Sequence, residues 1–322
     1  MSVMTTLDGW FDPDNKVDGI PRFQVGEKIN EAFDWIKDHW GTSLRSLGDA
    51  ITDAVDWIVS VLDGPAPIVM ALIFAAFAWL VRDWKLAIGT LIGMVFIISM
   101  NQWYPAMQTL AMVVFATAVA LIIGIPIGVL AARWDWLSRV VRPVLDLMQT
   151  MPAFVWLIPV VSLFGLNIAA GVAATIIFAL PPGVRLTELG IRQVDKEVIE
   201  AGHAFGARPG QILRETQLPL AMPTVMAGVN QVIMLALSMA VIAGLVGAEG
   251  SGGQVTTSIS RIDIGLGFEA GLSVVALAIF LDRLTAAAGQ RRPGQGRIAR
   301  LLGRARKPQS IEEEELAEPA TA

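Results

Sequence analysis

The stretch Pro105–Ala132, PAMQTLAMVVFATAVALIIGIPIGVLAA, holds no charged residue. A helix needs about 20 predominantly apolar residues to cross the ~30 Å hydrocarbon core of a bilayer, and this run exceeds that length. Gly124, Pro126 and Gly128 lie within it. Such residues bend a membrane helix where neighbours satisfy the freed carbonyl. Gly124 and Gly128 also form a small-residue pair suited to close helix packing, within the chain or between subunits.

Six more apolar stretches flank it: Pro65–Val81, Leu86–Met100, Leu147–Leu166, Ile168–Val184, Leu220–Gly247 and Leu266–Leu284. The second of the seven, Leu86–Met100, is short for a span. Of the 322 residues, 54% are hydrophobic and 16% charged, with mean hydropathy +0.58. Soluble domains carry about a quarter charged residues, so the expected fold is an all-α integral membrane protein with about seven transmembrane helices. Trp79, Trp84, Trp103 and Trp134 flank spans and read as interface anchors. Pro152, Pro159, Pro181 and Pro182 mark bends, either gating or static.

The net charge of -5 is segregated along the chain. With the N-terminus outside and the C-terminus inside, the inner segments hold Arg82 and Lys85, then Arg133, Arg139 and Arg142, then Arg185, Arg192, Lys196, Arg208 and Arg214, and the basic run from Arg283 onward. Between spans, the outer loops hold only Arg261. By the positive-inside rule the chain sits in the plasma (inner) membrane with an extracytoplasmic N-terminus and a cytoplasmic C-terminus. No secretory signal peptide is visible. Cysteine is absent, which excludes disulfides and thiolate metal ligands, and two histidines, His39 and His203, cannot build a metal site alone. No hydrolytic constellation stands out, so no catalytic residue is expected.

Residues 1–64 read as an extracytoplasmic region with a loop over Asp8–Pro21 and two amphipathic helices. Ile29, Phe33, Ile36 and Trp40 share one face; Leu44, Leu47, Ile51, Val55, Ile58 and Leu62 share another. These helices either lie on the membrane surface or pack on the protein body, and their acidic faces disfavour anionic lipid. Residues 65–104 hold two additional transmembrane helices, and 105–285 the main transmembrane domain. Residues 286–322, Arg-rich and then acidic at Glu312–Glu315, read as a disordered cytoplasmic tail. Its basic residues nearest the last span are placed to meet anionic lipid.

The inner loop 185–219 is unusually long. Val198, Ala201 and Phe205 share a face of a short predicted helix, and Gly206 ends it in a left-handed conformation. Pro209 and Gly210 turn the chain, and Gln211–Gln217 forms a second short helix before Leu218-Pro219. Here the chain resembles the permeases of ATP-binding-cassette (ABC) importers. Their loop carries Glu-Ala-Ala, three residues, Gly, nine residues, Ile, one residue and Leu-Pro. Glu200, Ala201, Gly206, Leu218 and Pro219 match, whereas Gly202 replaces the usual Ala and Thr216 the usual Ile. The resemblance implies a coupling helix involving Glu200, Ala201, Gly202, Phe205, Gly206, Leu218 and Pro219.

A narrower resemblance, to glycine betaine/proline betaine permeases, rests on Leu145–Phe154, Ile177–Thr187, Gly190–Val194, Ala227–Gln231 with Ala236–Met239, Asp263–Gly265 and Gly267–Gly271. It covers roughly Pro105–Thr285 and implies a five-helix type I importer core. Partners implied are an ABC ATPase subunit, an extracytoplasmic solute-binding protein, a second copy of the permease and membrane lipid, with no nucleic acid. No Gly-Lys-Ser/Thr phosphate loop occurs here, so ATP and Mg belong to the partner ATPase. Gly165–Ala169 is shorter than in the family, and Glu249 adds an acidic residue to a Gly-rich outer loop. Polar groups in spans tend to face the bundle interior, so Gln149, Thr150, Asn230, Gln231 and Ser238 are either pathway residues or helix–helix hydrogen-bonding groups. The expected function is import of betaine-like compatible solutes. The alternatives are import of choline, carnitine or another small amine, or an ion-coupled carrier, which the scarcity of ionisable residues in the spans disfavours.

Overall fold

The computed structural model describes residues 11–17 and 20–289. Residues 1–10 and 290–322, including most of the predicted C-terminal tail, lie outside the described residues. Part of the stretch expected as a loop is an antiparallel hairpin, β1 (Phe11–Val17) with β2 (Ile20–Phe23), whose register shifts between Asp12 and Lys16. All other described elements are helical.

The expected pair of N-terminal helices is one helix, α1 (Val25–Asp63). The intervening Gly41-Thr42-Ser43 contains no proline, and one interior glycine costs a helix only about 1 kcal/mol. The second half of α1 packs on the bundle through Gly48, Ile51, Val55, Val59 and Leu62, while Ile29, Trp35 and Trp40 stay exposed. A 95° bend separates α1 from α2 (Pro67–Val81). Asp83 then starts α3 (Trp84–Ser99) by accepting a hydrogen bond from the Leu86 amide at 2.9 Å. At 15 and 16 residues, α2 and α3 are each shorter than the ~20 residues of a straight span.

The bundle centre is built by α4 (Trp103–Arg133), α7 (Ile168–Arg192) and α10 (Leu218–Ala243). The Gly124/Gly128 pair packs within the chain: a Cβ at Gly128 would lie 2.6 Å from the Val184 carbonyl oxygen on α7. Trp103, expected at the interface, is buried at 6% exposure, whereas Trp79, Trp84 and Trp134 are exposed. The span expected over Leu147–Leu166 is two helices, α5 (Asp135–Thr150) and α6 (Ala153–Phe164), meeting at 101°. Pro152 explains the break, because proline drives the preceding residue out of the helical region, and Met151 has ψ 135°.

After α7 come α8 (Lys196–Ala204), a single turn α9 (Pro209–Gln211) and a π-helical segment running into α10. The Gly-rich stretch read as an outer loop leads into a further helix, α11 (Ser251–Arg261), before α12 (Ile264–Gly289). Four described helical segments are long and apolar enough to cross a membrane: α4, α7, Pro209–Val246 and Ile264–Ala287. Counting each bent pair as one span raises the number to six, below the seven expected. The one left over is α3, which at 16 residues is short for a straight span.

Candidate functional site

The loop expected at 185–219 begins inside α7, which continues beyond Val184 to Arg192. The continuation has a reason the apolar pattern misses. Arg185, Glu188 and Arg192 form a charged stripe along one face of α7, and Asp135, Ser138, Arg142 and Asp146 form a polar one along α5. Glu188 is buried at 5% exposure. Its Oε1 accepts from Ser138 Oγ at 2.7 Å and Arg142 Nη2 at 2.9 Å, and forms an ion pair with Arg192 Nε at 2.9 Å. Arg192 Nη2 also donates to Asp135 Oδ1 at 2.7 Å and to the Ala131 carbonyl at 2.8 Å, and Arg185 pairs with Asp146. Paired and multiply hydrogen-bonded, a buried carboxylate of this kind locks two helices in register. The three- and four-residue spacing on both helices was the signal for it in the sequence.

Beyond this clamp, α8 presents two faces. Its inner face rests on the start of the π-helical segment: a Cβ at Gly202 would lie 3.2 Å from Ile212 Cγ1, and Ile212 and Leu213 are buried. The glycine at the position where the resembling family has alanine therefore lets α8 settle against Ile212. The outer face carries Val198, Glu200, Ala201 and His203, all exposed. Phe205, at the end of α8, is 92% exposed, an unusual state for a phenylalanine. Gly206 has φ +77°, its amide donates to the His203 carbonyl at 2.9 Å, and the Ala207 amide donates to the Gly202 carbonyl at 3.1 Å. This pair of bonds around a left-handed glycine is a Schellman stop, as the sequence predicts.

The second predicted helix, Gln211–Gln217, is continuous with α10 but widened. Over Ile212–Gln217 the turns are π-helical, and the Leu218 amide donates to the Leu213 carbonyl five residues back. Pro219 accounts for the widening. It has no amide proton for the Glu215 carbonyl, and in a regular helix its ring would clash there.

The five polar candidates in the spans separate into two groups. Asn230 Nδ2 donates to Asp282 Oδ1 at 2.9 Å, and Thr285 Oγ1 donates to Asn230 Oδ1 at 2.8 Å. Asn230 thus ties α10 to α12 as a helix–helix clamp. Gln231 and Ser238 lie with Ala227 and Met234 on the exposed face of α10, and Ser238 Oγ is turned back to the Met234 carbonyl at 3.0 Å. Gln149 and Thr150 end α5, exposed beside the break at Pro152. Glu249, in the Gly-rich segment, accepts from the side-chain amide of the buried Gln108 on α4. Among the described residues, no three His, Asp or Glu side chains converge as metal ligands.

Comparison with known proteins bears on what this arrangement serves. The chain is 43% identical over 269 residues to the glycine betaine transport system permease protein OpuAB of Bacillus subtilis, covering 84% of this chain and 95% of that protein. It is 45% identical over 267 residues to the glycine betaine/proline betaine transport system permease protein ProW of Escherichia coli, covering 81% and 74%. It is 42% identical over 273 residues to the glycine betaine/carnitine transport permease protein GbuB of Listeria monocytogenes, covering 83% and 96%. Residues 124–292, which contain the Glu188 clamp, α8 and the polar face of α10, match the family described as binding-protein-dependent transport system inner membrane component. This chain, a multi-pass membrane protein with its exposed α8 between two spanning helices, belongs to that family of ABC importer permeases.

Proposed function

We propose that the chain is the permease subunit that imports glycine betaine, proline betaine and similar compatible solutes. The observation that carries the solute assignment is the identity of 42–45% to permeases named for those solutes, over four-fifths or more of this chain. Carnitine is a second candidate solute, favoured by the name of the Listeria relative.

ATP and Mg act in a partner ATPase subunit. The Glu200–Gly206 loop, with Leu218 and Pro219 at the entry of α10, is the contact that couples that subunit to the spans. Its support is the outward apolar pair Val198 and Phe205 beside Glu200, on a helix whose inner face is already occupied by Ile212. An extracytoplasmic solute-binding protein delivers the solute, and two copies of the chain enclose the path. Exposed Gln231 and Ser238 support that arrangement, because polar groups at membrane depth are costly against lipid and tolerable against a cavity or a second copy. Gln149 and Thr150 line the same path; Asn230 instead holds α10 to α12. The N-terminus lies outside and the C-terminus inside in this reading, supported by the arginine and lysine pattern.

The test is competition for uptake. In cells lacking their own betaine importers but expressing this permease with its ATPase and binding protein, unlabelled proline betaine should compete with labelled glycine betaine. Carnitine competing better than either would transfer the assignment to carnitine. No uptake of any quaternary amine would refute it.

A further inference from the structure

We propose that the groove between α3 and α12 is a binding site for one anionic phospholipid. The groove encloses about 500 Å³. Its length is apolar, with Ile92 and Phe96 of α3 facing Leu272 and Ile279 of α12, and its only charged lining residues are Lys85 and Arg283. Lys85 begins α3 and Arg283 lies near the end of α12, positions that the arginine and lysine pattern puts on the same side of the membrane. Neither forms an ion pair among the described residues.

The depth matches one leaflet. Lys85 to Phe96 and Arg283 to Leu272 are each eleven residues apart in sequence, about 16 Å along a helix. Half of a ~30 Å hydrocarbon core is about 15 Å. Cations at one rim of an apolar, leaflet-deep groove meet a phosphate headgroup, and the groove beneath takes an acyl chain. The floor is open to it: a Cβ at Gly89 or Gly93 would have no atom within 4 Å.

A third feature points to a ligand. Thr90 lines the groove at 4% exposure, and its Oγ1 has no hydrogen-bond partner. A helical threonine hydroxyl commonly bonds a carbonyl one turn back, but this one is left free. It lies five residues below Lys85, about 7 Å, where a phospholipid carries its ester carbonyls. The leaflet is the inner one if the orientation proposed above holds; the site itself does not depend on which solute is carried.

The test is native mass spectrometry of the full chain with its ATPase, released from nanodiscs holding equal amounts of phosphatidylglycerol and phosphatidylcholine. The site predicts retained phosphatidylglycerol, preferred about tenfold or more. Each cation near a membrane surface contributes about fivefold, so Lys85→Ala with Arg283→Ala should lower retention about 25-fold. Gly93→Leu keeps both cations but fills the groove, and should lower retention of both lipids. Equal retention of the two lipids by the unaltered chain overturns the proposal, as does unchanged phosphatidylglycerol in both variants. The chain has no cysteine, so Gly93→Cys gives a clean probe; a disulfide-linked dimer would put a second copy in the groove and also overturn it. Betaine uptake by the same variants is read separately, in proteoliposomes with the ATPase and the binding protein, so failure of the groove and failure of the solute assignment remain distinguishable.

Discussion

Arg142 on α5 donates from Nη2 to Glu188 Oε1 on α7 across 2.9 Å, and Arg192, four residues further along α7, forms an ion pair with the same oxygen. The bent α5–α6 pair is thereby fastened to the helix that leads directly into α8. The joint thus ties the α5 side of the break at Pro152 to α7, while α6 on the other side packs on α7 directly through Leu157 and Val160 against Ala170 and Ala174.

Glu188→Ala should cost about 1.5–3 kcal/mol, the range for hydrogen bonds to a charged group. Loss of a fully buried pair costs 3–5 kcal/mol, but Arg142 and Arg192 keep partial access to water. Thermal unfolding of the purified protein in detergent measures the change. A loss below about 0.5 kcal/mol would mean the clamp is not held in the membrane protein.

The α4–α7 contact makes a sharper prediction. Gly128→Ala places a Cβ 2.6 Å from the Val184 carbonyl oxygen and 2.7 Å from Thr187 Cβ. Overpacking of that kind costs about 1–3 kcal/mol. Gly41→Ala, with nothing within 4 Å in mid-α1, should be neutral or gain about 0.5–1 kcal/mol. The two variants unfolding alike would refute the close approach.

Much of the bundle was legible in the sequence. Lipid demands long apolar runs with internal backbone hydrogen bonds, and α4, α10 and α12 follow from that demand alone. The stop of α8 at Gly206 was equally legible, since the left-handed turn needs glycine. The break after Thr150 was not, because an apolar stretch continues through Pro152 and hydropathy does not register the backbone restriction that proline places on Met151. Nor was the length of α7 beyond Val184. There charged residues replace apolar ones, and they are stabilised by a partner stripe on α5 rather than by lipid. Asn230 illustrates the same limit: its polarity in a span was evident, but its partners Asp282 and Thr285 lie more than fifty residues away.

That assignment separates Asn230 from its neighbour. Asn230→Leu removes the bonds to Asp282 and Thr285 and should destabilise the protein by about 1–3 kcal/mol, leaving the competition order among solutes unchanged. Gln231→Leu, on the exposed face of α10, should leave stability within about 0.5 kcal/mol and reduce uptake several-fold. Paired unfolding and uptake measurements distinguish the two residues, and the opposite pattern would exchange their roles.

At the proposed coupling loop, Gly206→Ala forces a side chain into φ +77° and should cost about 1 kcal/mol locally. Gly206→Asn, which tolerates that region, should cost less. Amide hydrogen exchange at Ala207, whose N–H bonds the Gly202 carbonyl, reports the loosening. Equal protection in both variants would show that the left-handed stop is dispensable.

The most direct measurement is labelled glycine betaine uptake into proteoliposomes holding this chain, its ATPase and its binding protein, with and without internal ATP, beside a Glu200→Ala sample. The predicted result is uptake that requires ATP and falls at least tenfold in Glu200→Ala while the complex still co-purifies. Uptake that follows an ion gradient and ignores ATP, with Glu200→Ala indistinguishable from the unaltered chain, would contradict the account.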